Sequence, residues 1–191
     1  MALPMDFTLT YRGDLKANAG PQEKQMIRRC FHQQLKVLWQ QFPLSAVRST
    51  HLKPPPNEKN AHLSILRRCD HFTFAPLVCA LQRGTASLDI TFLRPEAPGS
   101  LITQGGDIDN RLKTLLDALR MPHNHNELQP DDRPRDDESP FFCLLEDDNL
   151  ITGIRVVTDR LLEETHNTSE VLLLIKVSTA TYQTVNLGLR L

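Results

Sequence analysis

The segment at residues 106–120 constrains the fold of this chain most, because an apolar helix stripe and a set of carboxylates share it. Leucines recur there at helical spacing, at positions 112, 115, 116 and 119. This spacing predicts a helix over residues 109–120, with one side packed against a core and Pro122 just beyond its end. The flank beside the stripe carries Asp109, Asn110, Lys113 and Asp117.

Further carboxylates adjoin this segment. Asp107 lies just before the predicted helix, and Asp148 follows later in the chain. Negative charge beside the unpaired N–H groups of a first helical turn favours a hard divalent cation. An ordinary interpretation is also open: helix capping by Asp107 or Asp109, a surface pair of Asp109 with Lys113, and a turn at 147–149. Spacing alone does not separate the two, because Asp-x-Asp is a motif of low specificity.

A longer combination of residues distinguishes this chain. It consists of Asp107, Asp109, Asn110, Lys113 and Asp117-Ala118-Leu119, followed by Asp147-Asp148 and Arg155-Val156-Val157. This order resembles the RusA family of Holliday junction resolvases, small endonucleases associated with phages and prophages. The resemblance covers about residues 85–180, roughly half of the chain.

The resemblance implies a metal-dependent endodeoxyribonuclease that resolves Holliday junctions or related branched DNA in recombination and repair. It implies that Asp107, Asp109 and Asp148 hold Mg²⁺ or Mn²⁺ and that Lys113 assists catalysis. Asn110, Asp117 and Asp147 are then expected to orient these ligands. The family analogy further implies a homodimer, because a four-way junction has two-fold symmetry.

Two alternatives remain at this point. The family usually has a basic residue before the first aspartate, where this chain has Gly105-Gly106, and its helix-to-aspartate link is shorter and less acidic. These departures favour a catalytically silent DNA-binding or regulatory relative on the same fold. A nucleotide-sugar transferase that uses Asp-x-Asp to hold Mg²⁺ on a diphosphate fits less well, since no βαβ alternation precedes the motif.

The charge distribution bears on a nucleic-acid partner. Net charge is −1, but residues 127–148 contain nine acidic and two basic side chains, so the rest of the chain, with 14 acidic and 20 basic, carries +6. We read residues 44–70 as a basic loop or arm and residues 122–146 as an acidic loop insertion. The candidate DNA contacts are Arg111, Lys53, Lys59, Arg67 and Arg68. Arg28, Arg29 and Lys36 form a basic helix face that could also touch phosphates, although a solvated face is the favoured interpretation.

The remaining patterns predict an α+β fold, with a small mixed or antiparallel β-sheet flanked by helices, in a single RusA-like domain over residues 1–191. A first strand is expected at 7–11, a long helix from Pro21 to Phe42, and two strands joined by a turn at 71–81 and 86–93. Segments 151–157 and 171–177 predict an antiparallel pair, the second of them central in the sheet.

Cellular context follows from composition. No apolar run approaches the roughly 20 residues that span a bilayer, and the N-terminus lacks signal-peptide features, so a cytoplasmic protein is expected. The four cysteines form no Cys-x-x-Cys pair, which favours core thiols over a zinc ribbon or a disulfide framework. His123 and His125 lack a partner at metal-site spacing, so loop residues are the favoured reading.

Overall fold

A computed structural model describes residues 4–54, 63–95, 108–165 and 169–182. Within these ranges the chain forms two mixed β-sheets and three α-helices, so the α+β class is confirmed. The elements in chain order are β1 (Met5–Asp14), α1 (Pro21–Leu38), α2 (Leu44–His51), β2 (Arg67–Cys69), β3 (Phe72–Val78), β4 (Gly84–Arg94), α3 (Ile108–Leu119), β5 (Phe141–Leu145), β6 (Ile151–Arg160) and β7 (Glu170–Thr181).

The larger sheet has the strand order β1-β7-β4-β6. Strand β7 pairs antiparallel with both β1 and β4, whereas β6 runs parallel to β4. Alternate residues of each strand face the core, as Leu9, Ile90 and Ile175 do. The apolar sequence of β7 predicted a central position, which the strand order confirms, and β1 is an edge strand.

The smaller sheet, in the order β2-β3-β5, is buried on both faces. One face joins the main core through Ala75 and Phe142, and the other forms an aromatic cluster that includes Phe74 and Phe141. Helix α1 packs against β5 and α3, and α3 also contacts β5.

Strand pairing corrects one prediction from sequence and completes another. Strands β3 and β4 lie on either side of a turn, as predicted, but belong to different sheets. Strands β6 and β7 are not neighbours either, because β4 lies between them. Alternation along a strand shows which side chains are buried, but it carries no information on which strand lies alongside.

Two loop predictions were also wrong in part. Helix α2 and strand β2 lie within the predicted basic loop at 44–70, where Leu44 is buried in the core. Strand β5 lies within the predicted acidic insertion at 122–146. All five of its residues are buried, so its sequence shows no polar alternation that would mark a strand.

The predicted basic face of α1 is not open. Arg28 is only 1% exposed, and its Nε and Nη2 donate to the backbone carbonyls of Arg120 and Asp117 at 3.0 and 2.9 Å. Burial lowers the pKa of Arg28 to about 10. Arg29 bonds to Asp132 and Glu138. The acidic insertion thus lies along α1 and forms ion pairs with Arg29 and Lys36, two of the three cations that the sequence offered as phosphate contacts.

His32 links α1 to this insertion. Its Nδ1 accepts a hydrogen bond from the N–H of Phe142 at 2.8 Å, so its Nε2 donates to the carbonyl of Asp137 at 3.3 Å. The bond accepted by Nδ1 requires a neutral ring, because a protonated Nδ1 has no free lone pair. Burial lowers the pKa of His32, with Asp137 and Glu138 opposing this shift and Lys36 adding to it.

Because of this lowered pKa, we expect the free energy of unfolding to be smaller in acid. The unfolded chain takes up a proton on His32 as pH falls below 6.5, while the folded chain resists it, so stability is lost on acidification. The contribution of His32 should decline by up to about 1 kcal/mol per pH unit. Urea unfolding at pH 7.5 and 5.5 should show a smaller decline in His32→Gln, whose amide reproduces both bonds without titrating. Equal declines in the two proteins would exclude this role for His32.

Candidate functional site

Helix α3 presents one side to solvent at the predicted site. The predicted leucine stripe is confirmed, since Leu115 and Leu119 are buried and Leu112 and Leu116 pack partly against the core. Asp109 and Lys113 are exposed. At 3.6 residues per turn, both lie on the same side of α3 as Leu116 and Arg120.

Asp148 lies beside the same side of α3. It begins a short 3₁₀ turn, Asp148–Leu150, immediately after β5, and the Asp147 side chain caps this turn by accepting from the N–H of Asn149 at 2.9 Å. Asp148 lines a groove of about 400 Å³ together with Leu116 of α3 and residues 151–154 of β6. The turn therefore brings Asp148 next to the helix that begins near Asp109.

Arg120 supplies positive charge near this groove. Its burial opposes a charge, but hydrogen bonding to Glu127 and the negative charges of Glu127, Asp117 and Asp148 together raise the pKa of Arg120. The guanidinium donates to Glu127 at 2.9 Å and to Asp117 at 3.1 Å. Asp148 thus lies in the electrostatic field of a fixed cation.

The predicted carboxylate ligands can be compared with what a divalent metal requires. Asp109 and Asp148 are exposed carboxylates, and oxygen ligands of this type suit Mg²⁺ or Mn²⁺. Asp107, the third predicted ligand, lies outside the described residues. Among the residues that are described, no group of three His, Cys, Asp or Glu side chains has the arrangement of a metal site. The two described ligands are chemically suitable for the ion.

Asp117 has a structural position. Its carboxylate accepts from Lys24 Nζ at 2.7 Å and from Arg120 at 3.1 Å. Burial alone would raise the pKa of Asp117, but the hydrogen bond and charge of Lys24, together with Arg120, lower it overall. These contacts tie α3 to α1. They give Asp117 a role in packing, which is a different role from the ligand orientation expected from sequence.

Asp147 has a partner that the sequence did not identify. His123 Nε2 lies 3.0 Å from Asp147 Oδ2, and its Nδ1 lies 3.8 Å from Glu127. The N–H of Asn149 is the main cause of the lowered pKa of Asp147, and His123 contributes. The sequence offered His123 only as half of a histidine pair in a loop, because its partner is 24 residues away in the chain. Contacts over such separations require the fold.

The candidate DNA contacts divide into several groups. Arg111 is buried and donates to the carbonyl of Leu15, so its predicted contact with phosphate is not supported. Arg67 bonds to Glu146 at 2.6 Å. Lys53 and Arg68 are exposed, whereas Lys59 lies outside the described residues. Asn110 is partly buried on the first turn of α3.

Three of the four cysteines are buried, as predicted, while Cys30 is exposed on α1. Across the described part of the chain, no helix has both the length and the apolar character needed to cross a bilayer. Comparison of the chain with protein-family models, with curated proteins and with solved structures finds no match.

Proposed function

We propose that this protein is a Mg²⁺- or Mn²⁺-dependent endodeoxyribonuclease that cuts four-way junctions or related branched DNA during recombination and repair in the cytoplasm. One observation carries the proposal. Asp148, 39 residues beyond Asp109 in the chain, lines a groove with Leu116, which lies on the same side of α3 as Asp109 and Lys113. In the proposal, the two segments supply two hard anionic ligands and one cation to one metal site.

In this proposal Asp107, Asp109 and Asp148 hold the ion. Its chemistry when bound is Lewis-acid activation of water and neutralisation of phosphate charge. Lys113, one turn beyond Asp109, offsets negative charge on the phosphoryl oxygens or on the leaving group. Asp147 fixes the turn that carries Asp148, because its carboxylate is held by Asn149 and His123.

Symmetric cutting of a junction calls for two active sites related by a two-fold axis, so the proposal includes a homodimer. Each copy would contribute one α3 side with its Asp109, Lys113 and Asp148. The exposed Lys53 and Arg68 are the remaining described candidates for contacts with the DNA backbone.

A second candidate function is a catalytically silent DNA-binding or regulatory module. The observation that favours it is the position of Arg120 close enough to Asp148 to interact with its charge. Arg120 is already paired with Asp117 and Glu127, and the attraction of Asp148 adds to this network without a metal. This module would bind branched DNA without cutting it.

The deciding experiment uses a labelled synthetic four-way junction with Mg²⁺ or Mn²⁺, beside a linear duplex and the Asp107→Asn variant. Paired nicks that require metal and disappear in Asp107→Asn would support the nuclease. Binding to the junction without nicks would favour the silent module. Absence of binding would favour the ordinary interpretation, in which the carboxylates cap a helix and form a turn.

A further inference from the structure

The larger sheet has one face that packs on the core and one face that points outward. The outward side chains come from alternate residues of each strand, and the strand register aligns them in rows across the sheet. Three successive rows, read from β1 through β7 and β4 to β6, are Arg12-Leu172-Leu93-Asp159, Thr10-Leu174-Thr91-Val157 and Thr8-Lys176-Asp89-Arg155. We call this surface the outer sheet face.

The centre of the outer sheet face is apolar. Leu174 is 40% exposed and Val157 is 37% exposed, and the partly buried Leu93 and Leu172 lie in the neighbouring row. Aliphatic side chains exposed together on one face of a sheet are a feature of protein–protein interaction surfaces.

Two rows of this face carry opposite charges on the two sides of the line between β7 and β4. In one row, Lys176 on β7 is level with Asp89 on β4. In another, Arg12 on β1 and Asp159 on β6 are the outer ends. A further cation, Arg155 on β6, lies at the opposite end of the Lys176 row from a neutral threonine on β1.

We infer that the outer sheet face binds a second copy of this chain about a two-fold axis parallel to the strands, between β7 and β4. Such an axis places each row of one copy opposite the same row of the second copy, with the strand order reversed. Lys176 then faces Asp89 of the second copy, Arg12 faces Asp159, and Leu172 faces Leu93. Two twisted sheets related in this way pack face to face in the aligned arrangement that is common in β-sandwiches.

The available area is sufficient for a stable dimer. Four strands about 4.8 Å apart and about 10 residues long at 3.3 Å each give a face of about 600 Å². Two such faces bury about 1,200 Å² in total, which lies within the range of specific interfaces. Asp89 already accepts from Arg155 of its own chain at 3.0 Å, so Lys176 of the second copy would add to an existing ion pair.

This interface specifies the dimer that the proposed function requires, and to that extent it rests on that proposal. The sheet register and the exposed side chains support the interface independently of any cleavage. The test therefore measures oligomeric mass and not cleavage. A monomer that still cuts junctions would contradict this interface but not the proposed nuclease. A dimer that cannot cut junctions would support the interface and contradict the nuclease.

The test is a charge exchange followed by sedimentation velocity at micromolar concentration. We expect Lys176→Glu and Asp89→Lys each to weaken the dimer at least tenfold, because each creates two like-charge contacts across the axis. Mixing the two variants should restore association, since every contact then joins opposite charges. The double variant Lys176→Glu/Asp89→Lys should also dimerise.

Two further variants complete the test. Leu174→Lys should give a monomer, and Met26→Lys, at another exposed apolar residue on α1, should leave the dimer unchanged. Circular dichroism of each variant establishes that it is folded. A folded wild-type monomer, or a dimer that Leu174→Lys and both charge variants leave intact, would overturn the inference.

Discussion

Replacement of Asp148 with asparagine is expected to reduce junction cleavage by at least about a hundredfold, because a neutral amide is a far weaker ligand for a hard cation than a carboxylate. The side chain is exposed at the groove beside α3, so the loss should leave folding intact. Single-turnover cleavage of the labelled junction, with urea unfolding in parallel, measures both properties. Asp136→Asn, an equal change at an exposed carboxylate of the acidic insertion, is the matched control.

Asp109→Asn should behave in the same way, with one addition. Binding of the junction should survive or tighten, because the substitution removes repulsion between a carboxylate and a phosphate. Lys113→Gln should lower the cleavage rate and also weaken binding modestly, since it removes a cation from the same side of α3. Full cleavage by both aspartate variants would contradict the assigned metal ligands. Loss of folding in Asp109→Asn would make that residue structural.

The silent-module alternative predicts a different pattern. In the silent module, Arg120 interacts with the charge of Asp148 and no metal is bound. Asp148→Asn should then change stability only slightly, and neither protein should depend on a metal. Measuring junction binding with and without Mg²⁺ therefore separates the two candidates even before a cleaving preparation is found.

The elements that the sequence predicted well are those with strong periodicity. The leucine stripe of α3, the Pro21 start of α1 and the apolar run of β7 each carry a local signal for burial, and the structure confirms all three. Strand β5 was missed because a short run of buried residues has no alternation to detect. The parallel pairing of β6 with β4 was missed because pairing partners are set by the whole fold.

For the site residues too, local patterns were predicted from sequence and long-range contacts were not. Sequence placed Asp109 and Lys113 together on one helix side through spacing alone, and the structure shows both exposed on α3. The partners of Arg28 and Asp117 lie 89 to 93 residues away in the chain. No local pattern reports such contacts. A basic helix face was therefore expected where the structure has one buried arginine, Arg28.

Arg29→Met is expected to have the second large effect, a loss of about 3 kcal/mol in the free energy of unfolding. Glu138 is 1% exposed, and Arg29 Nε donates to it at 2.8 Å. Removing the guanidinium leaves a carboxylate that is buried away from water, and desolvation of an unpaired charge is costly. Urea unfolding at neutral pH measures the loss. Lys16→Met, which removes an exposed pair with Glu23, should cost much less.

The double variant Arg29→Met/Glu138→Gln identifies the cause. It should recover much of the lost stability, because an uncharged amide costs less to bury than an unpaired carboxylate. The residual loss reports the bond of Arg29 to Asp132. If Arg29→Met alone costs less than about 1 kcal/mol, Arg135, whose Nε lies 3.9 Å from Glu138, compensates the charge. A large loss that the second substitution relieves would mean that a buried ion pair fastens the acidic insertion to α1.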